Sequence, residues 1–180
     1  WLETWCGQLS ESNKTLNMIP PSVYSKPSFV ELEDRYDRLL GRKKSDVAGE
    51  ISEDSQPCLC LLCGKCLPGG KKNANNVGAC HVHANTEGHC EANAALGVGV
   101  FICLRSTRVV IMRKKWAAYY PSIYVDEYGE TDPYMRRGAP LVLNRRRLEK
   151  LQDLWASGRL ANEVTSIRMK SNRIILNNWF

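Results

Sequence analysis

Residues 57–66 read PCLCLLCGKC, and this cysteine-rich stretch decides the fold that the sequence predicts. Within it, Cys60 and Cys63 are separated by two residues, a spacing that places both thiolates on one metal ion as the chain turns. Gly64 follows them and lets backbone amides approach the sulfurs. The pattern is typical of a zinc knuckle, so we expect a metal ion to organise the surrounding chain.

A second pair of ligands is needed to close a tetrahedral site, and residues 78–83 (GACHVH) supply one. Cys80 and His83 stand three apart, which lets both side chains reach one ion. The preferred structural zinc ligands are therefore Cys60, Cys63, Cys80 and His83. Further candidate ligands, enough for a second ion or for a replacement within the first site, are Cys58, Cys66, His81, His89 and Cys90. The alternative is a set of buried reduced cysteines without metal.

The eight cysteines are unevenly distributed over the 180 residues. Six of them lie between residues 58 and 90, together with all three histidines. A secreted disulfide scaffold spreads its cysteines over a shorter chain and needs no histidines among them. Cys103 alternates with apolar residues and is expected to be ordinary core. The clustering favours metal binding in a reducing compartment, which predicts a cytoplasmic location, with the nucleus as the alternative.

Composition places the chain among ordinary folded proteins. Apolar residues make up 43% and charged residues 24% of the sequence, and no apolar run approaches the roughly eighteen residues of a membrane helix. The formal net charge of +6 is moderate. Basic residues form two groups, at residues 105–115 and 136–147. Such groups can bind nucleic acid or acidic protein surfaces, but solvated faces of a hairpin and a helix start are the preferred interpretation.

The periodicity of the N-terminal third predicts a helix followed by a linker. Apolar residues recur at helical spacing between Phe29 and Leu40, with Ser28 as the expected cap and Gly41 as the expected end. Residues 42–56 are polar and are predicted to be a flexible linker. Residues 1–56 are accordingly expected to form an N-terminal arm.

The remainder of the chain predicts a β-rich module flanked by helices. We expect a hairpin over residues 97–112 and an edge strand over 119–125, because Pro121 cannot donate to a central ladder. Asn144 is the expected cap of a helix that ends at Gly158, before a shorter helix over residues 160–167 and a final extended segment over 173–180. The predicted fold class is α+β, a small zinc-stabilised β-rich module with flanking helices, and residues 57–180 are its domain.

A catalytic role for the cysteine cluster is disfavoured. Zinc nucleobase deaminases carry His-x-Glu followed downstream by Pro-Cys-x-x-Cys. Here His89-Cys90-Glu91 comes after Pro57-Cys58, in the wrong order, and four protein ligands would leave no position for a reactive water. Adjacent side chains in an extended chain point apart, so His89 and Cys90 do not predict a nucleophile–base pair. We expect no catalytic residue in this chain.

Several motifs follow the cysteines in order: GVGVFI at residues 97–102, YVDEYGETD at 124–132, the pattern RRG-x-PL at 136–141, and the helix over 148–155. Together with CLLCG at 60–64 and GAC-x-x-H at 78–83, this series resembles the cysteine-rich C-terminal cap or autoinhibitory region of the UBR-box N-recognin family of ubiquitin ligases. The ordering is more specific than a lone Cys-x-x-Cys. The family's next cysteine stands close after the zinc-binding histidine, whereas Cys90 lies seven residues beyond His83. No role for Cys90 is carried over.

The resemblance implies a scaffolding and regulatory domain of a RING-type ubiquitin-protein ligase of the N-degron pathway. In that family a separate UBR box recognises destabilising N-terminal residues, and an upstream RING-type domain binds the ubiquitin-conjugating enzyme. The implied partners are the RING-type and helical regions of the same ligase, and through them a ubiquitin-conjugating enzyme and degradation substrates. Neither a membrane nor nucleic acid is expected as a partner, and residues 57–180 become the zinc-binding C-terminal cap domain, inactive by itself.

Two alternatives from other functional classes stay open. A basic zinc module could bind nucleic acid through the two arginine groups and the aromatic residues Trp116, Tyr119 and Tyr120. A peptide-binding module could use Glu127, Glu130 and Asp132 as an acidic pocket for a cationic N-terminus.

A structural explanation of the acidic stretch is preferred over a pocket. Asp132 before Pro133 predicts a helix cap with proline in the first position, and Gly138 suits the left-handed residue after a helix end. Asp132 and Arg136 are expected to pair, while Arg137 reaches Glu130 or a carbonyl of the preceding loop. The expected structural clasp consists of Glu130, Asp132, Arg136, Arg137 and Gly138, with Gly129 turning the chain before it.

Overall fold

A computed structural model of the chain describes residues 28–47, 56–69, 78–85 and 97–170. Within these ranges the fold class is α+β, as predicted. The helices are α1 (Tyr36–Val47), α2 (Ala79–Asn85), α3 (Arg145–Ala156) and α4 (Leu160–Lys170). The strands are β1 (Gln56–Cys60), β2 (Cys66–Gly69), β3 (Val98–Cys103), β4 (Val109–Arg113), β5 (Trp116–Tyr120), β6 (Tyr124–Val125) and β7 (Val142–Leu143), and a 3-10 helix spans Pro133–Met135. Among these helices none has the length and apolar character needed to span a bilayer.

Five strands form an antiparallel sheet in the order β2-β1-β3-β4-β5. The central strand β3 is buried at all six positions. Alternate residues of a strand point to opposite faces, so Val100 and Ile102 face one side of the sheet while Phe101 and Cys103 face the other. Each set belongs to a separate apolar cluster, which means that both faces of the sheet are covered.

The larger core lies on the Val100 face and includes side chains from α1, α3 and α4. Tyr36 of α1 is 1% exposed, and its hydroxyl donates to the carbonyl of Leu104 over 2.7 Å. Its ring meets that of Tyr124 edge-on, with the ring centres 4.9 Å apart. The described part of the N-terminal segment therefore shares its core with the sheet, and the domain boundary at residue 56 stays a prediction.

The smaller core lies on the Phe101 face, beneath the short helix α2. Gly99 makes the close approach of this helix to β3 feasible, because a Cβ there would lie 2.5 Å from the Phe101 ring and 3.0 Å from the Cβ of Ala84. Four buried cysteines belong to this core. The cysteines of the smaller core are Cys58, Cys60, Cys80 and Cys103.

The predicted hairpin and the two C-terminal helices are confirmed. Strands β3 and β4 pair in register from Val98 with Arg113 to Ile102 with Val109. Asn144 caps α3, since its side-chain oxygen accepts a hydrogen bond from the Arg147 amide over 3.0 Å.

The single edge strand predicted over residues 119–125 is wrong. Strand β5 ends at Tyr120, whereas β6 pairs with β7 in the separate two-stranded sheet. Pro121 has no amide to continue the ladder. Ser122 then fixes the turn, because its hydroxyl donates to the carbonyl of Thr107 over 2.7 Å.

The first helix begins later than predicted, at Tyr36, so Ser28 does not cap it. It also ends later, at Val47, so Gly41 is not its end. The amide of Val30 donates to the carbonyl of Leu61 over 2.9 Å, and Arg35 forms an isolated bridge with Val142. These long-range backbone partners keep residues 28–33 out of the helix. Helix α1 continues through Gly41 into the predicted linker, of which residues 48–55 lie outside the described ranges, as does the extended segment predicted over 173–180.

Replacing Gly41 with alanine is expected to raise the free energy of unfolding by about 0.5–1 kcal/mol, because alanine is the better helix former. An added Cβ at Gly41 would meet nothing within 4 Å. Gly99→Ala is the comparison variant, and we expect it to lower stability by about 1–3 kcal/mol through overpacking between β3 and α2. Urea unfolding measures both. A Gly41→Ala variant less stable than the wild type would favour a left-handed helix end at this position.

Candidate metal centre

The turn between β1 and β2 has the geometry of the predicted knuckle. Strand β1 ends at Cys60, and the amide of Gly64 donates back to the Cys60 carbonyl over 2.9 Å. The Cys60 amide in turn donates to the carbonyl of Lys65, also over 2.9 Å. Gly64 adopts a φ of +78°, a left-handed conformation that glycine reaches without a steric penalty. The chain therefore reverses directly after the two cysteines.

Burial and hydrogen bonding act in opposite directions on the Cys60 thiol. The pKa of Cys60 is raised to about 12, mainly because burial outweighs the hydrogen bonds from the backbone of Cys63 and Leu62, which lower it. Such backbone donors stabilise the thiolate, which is the form that binds metal. A metal cation bound at this sulfur would stabilise the Cys60 thiolate further, because it would neutralise the negative charge.

Helix α2 brings His83 against the knuckle. The Sγ of Cys63 lies 3.3 Å from the Nε2 of His83, whose side chain is 3% exposed. The ligand atoms of Cys60, Cys63 and His83 all lie within 4.8 Å of one another. With zinc–ligand bonds of about 2.0–2.3 Å, neighbouring ligands of a tetrahedral site are roughly 3.3–3.8 Å apart. Two thiols and an imidazole at these distances are a donor set that suits zinc.

Cys80, the fourth predicted ligand, lies on α2 but outside this group of three. Its side chain is buried in the smaller core, beside Cys58. The Sγ of Cys58 lies 3.7 Å from the Sγ of Cys103, its direct cross-strand neighbour. Burial and these sulfur neighbours raise the pKa of Cys58, which keeps it a neutral thiol. The structure thus places three of the four preferred ligands together.

The remaining candidate ligands have separate positions. Cys66 begins β2 and is half-buried. His81 lies on α2, where the side-chain amide of Asn85 donates to its carbonyl over 2.8 Å and stands 3.3 Å from its Nδ1. His89 and Cys90 lie outside the described residues.

The predicted clasp forms around Asp132 and Arg137. The Asp132 carboxylate is buried and accepts hydrogen bonds from the backbone amides of Arg136 and Arg137 over 3.0 and 2.9 Å. The guanidinium of Arg137 pairs with Glu130 and donates to the carbonyl of Thr131 over 3.1 Å. The positive φ expected at Gly129 and at Gly138 is present.

One predicted contact of the clasp is wrong. Arg136 reaches Asp132 only through its backbone, while its guanidinium lies 5.7 Å from the centre of the Tyr134 ring. Tyr134 and Met135 have φ values of +66° and +51°, so the segment is a tight irregular turn instead of the regular helical turn on which an i,i+4 pair depends.

Sequence analysis missed Asp126, which completes the clasp. Its Oδ1 accepts the amides of Tyr128 and Glu130 over 3.0 and 2.8 Å, and its Oδ2 lies 3.0 Å from Arg137. An aspartate three residues before Gly129 is a signal for a side-chain-stabilised turn that could have found it. Because Asp126 and Asp132 are buried and hydrogen-bonded within the chain, these two carboxylates of the acidic stretch stabilise the fold.

Comparison with known proteins supplies the family. The family model "Proteolysis_6 C-terminal" matches residues 1–157. Mouse and human E3 ubiquitin-protein ligase UBR1 are each 33% identical to this chain, and mouse UBR2 is 28% identical. Each alignment covers 99% of this chain and 10% of the relative, so the chain spans about a tenth of the length of these curated proteins. The chain belongs to the Proteolysis_6 C-terminal family and is homologous to a region of the UBR ubiquitin ligases.

Proposed function

We propose that this chain is the C-terminal scaffolding and regulatory domain of a RING-type ubiquitin-protein ligase of the N-degron pathway, held together by a structural zinc ion. The observation that carries the proposal is the convergence of Cys60, Cys63 and His83 within 4.8 Å. The similarity to proteins named E3 ubiquitin-protein ligases supports the ligase part of the proposal.

The proposed zinc would join two elements that are distant along the chain. Cys60 ends β1 and Cys63 lies in the β1–β2 turn, whereas His83 belongs to α2. We propose Cys80 as the fourth ligand, because it lies three residues before His83 on the same helix. Cys66, His81, His89, Cys90 and Cys58 remain further candidates. Since structural zinc sites contribute roughly 10–16 kcal/mol of binding free energy, such an ion would stabilise the small core.

The same geometry admits one catalytic explanation. Cys63 is exposed and contacts His83, as a nucleophile and its base would. A nucleophile pair, however, leaves unexplained why a second thiol, Cys60, faces the same point and accepts backbone hydrogen bonds. A metal ion accounts for all three side chains, so we favour the structural role.

The proposed partners follow from the same assignment. In the whole ligase this domain would pack against the RING-type and helical regions, which contact the ubiquitin-conjugating enzyme and the degradation substrates. No disulfide joins the six cysteines in the described ranges, which supports placement in a reducing compartment such as the cytoplasm.

The isolated chain is expected not to accelerate discharge of ubiquitin from a charged conjugating enzyme, because the proposed role is architectural. A single-turnover discharge assay to free lysine, with a complete RING-type ligase as the positive control, measures this directly. Non-reducing electrophoresis of the same samples should show no ubiquitin thioester on Cys63. Acceleration by the chain that disappears in Cys63→Ser would overturn the structural assignment in favour of the catalytic one.

A further inference from the structure

A cleft of about 630 Å³ lies between the β4–β5 turn and the end of α4, which we term the β4–α4 cleft. This volume is within the range of roughly 300–1,000 Å³ that is typical of ligand sites. Its walls include Arg113, Lys114 and Trp116 from the hairpin and Val164, Arg168 and Met169 from the helix. The cleft is separate from the knuckle, since α4 packs on β4 and β5, whereas the knuckle joins β1 and β2 at the opposite edge of the sheet.

Two large apolar side chains of the cleft are exposed to solvent. The side chains of Trp116 and Met169 are 48% and 82% exposed, while Val164 at the same site is buried. Large apolar side chains that line a concave surface and face water are a common feature of binding sites. An apolar group of a ligand could displace water from both.

Positive charge surrounds this apolar surface. Arg113, Lys114 and Lys115 are exposed, and no carboxylate of the described residues pairs with them. Lys114 has a φ of +49° in a two-residue turn, a position where glycine, asparagine or aspartate is the usual residue. The β4–β5 turn therefore carries the positive charge of Lys114 although its backbone conformation disfavours lysine.

Arg168 links the charged and apolar parts. Its guanidinium lies 4.3 Å from the centre of the Trp116 ring, and its Nη1 donates to the carbonyl of Ala117 over 3.2 Å. These two contacts hold the planar group in place. A guanidinium has five N–H donors in a fixed arrangement, so donors remain to bind a carboxylate in two places.

We infer that the β4–α4 cleft binds an acidic peptide segment that carries an apolar side chain. Its carboxylates would contact Arg113, Lys115 and Arg168, and its apolar side chain would pack on Trp116 and Met169. The last ten residues, 171–180, do not match this charge, because they contain Arg173 and no acidic residue. We assign the segment to a partner protein. Occupation of the cleft by this chain's own acidic residues 50–54 (EISED) would instead block saturable binding of an added peptide.

Nucleic acid fits the same surface less well. Single-stranded binding uses successive aromatic side chains as stacking surfaces. Tyr120 is 8% exposed and Tyr119 is half-buried, so neither ring offers an open stacking face. The second basic group is also engaged, since Arg137 and Arg145 pair with carboxylates. One exposed tryptophan in a compact cleft matches a short peptide better than a polynucleotide.

Fluorescence polarisation tests the inference with the full chain and a short labelled peptide in which glutamates flank a pair of leucines. Saturable binding that weakens as salt concentration rises is expected. The double charge reversal Arg113→Glu/Lys115→Glu should lower affinity about tenfold or more, and Trp116→Ala about fivefold or more, with unchanged circular dichroism. The matched control is Arg146→Glu/Lys150→Glu, which makes the same charge change at exposed positions of α3 and should bind normally.

Three results would overturn the inference. The first is an equal loss of affinity in both double variants, which would indicate nonspecific attraction to net charge. The second is the absence of saturable peptide binding, including the case in which a single-stranded DNA oligonucleotide of equal charge binds through Trp116 instead. A peptide with lysine in place of each glutamate should not bind, and its binding with similar affinity would also contradict the proposed acidic ligand.

Discussion

Replacing Cys63 with serine is expected to abolish zinc binding and to lower the free energy of unfolding by several kcal/mol, because structural zinc sites contribute folding free energy outright. Cys63 is exposed, so without a metal ion the same substitution would resemble a surface change of about 0.5 kcal/mol or less. Because this side chain is exposed, a large loss of stability would distinguish a bound metal ion from its absence. Thermal unfolding of both proteins, monitored by circular dichroism, measures the difference.

A chelator supplies the control for this prediction. In excess EDTA the wild type should lose its advantage, so that its melting temperature approaches that of Cys63→Ser. Each thiol must lose its proton to bind zinc, so the zinc-dependent part of the stability should also decline as pH falls. A Cys63→Ser variant that melts with the wild type in the absence of EDTA would contradict the zinc assignment.

Replacing Asp132 with alanine is expected to lower the free energy of unfolding by about 2–4 kcal/mol, since two backbone amides would lose a charged acceptor in a buried turn. The Asp132 side chain is 3% exposed, and its carboxylate accepts hydrogen bonds from the amides of Arg136 and Arg137. Asp132→Asn keeps the size and one carbonyl oxygen, so it should lose less. Urea unfolding at constant pH compares the variants.

Arg137→Ala is the matched test of whether the clasp is structural. Its side chain is 45% exposed, so its ion pairs contribute less than the buried carboxylate, and we expect a smaller loss of stability than for Asp132→Ala. The loss should still exceed that of an ordinary surface change. An Arg137→Ala variant with unchanged stability that no longer binds peptides with cationic N-termini would show that the acidic stretch is a recognition site.

Elements specified by local sequence were predicted well. The β3–β4 hairpin follows from two apolar runs around a short polar turn, and α3 follows from Asn144 and its apolar face. The knuckle follows from the spacing of Cys60 and Cys63 with glycine after them. In each case, neighbouring residues carry most of the information.

Features that depend on distant partners were not predictable in the same way. Residues 28–33 have helical periodicity, but the hydrogen bond from the Val30 amide to the Leu61 carbonyl keeps this segment out of the helix. The place of Cys80 depends on how α2 rotates over the sheet, which its spacing to His83 does not determine. The pairing of Arg137 instead of Arg136 follows from positive φ values at Tyr134 and Met135, residues that rarely adopt them.

The central claim is that Cys60, Cys63 and His83 hold a structural zinc ion, and metal analysis of the purified chain tests it most directly. Protein prepared under reducing conditions without added zinc should contain at least one tightly bound zinc ion per folded chain. The single variants His83→Ala and Cys63→Ser should each lack this zinc. A folded, monodisperse chain that contains no zinc would contradict the claim.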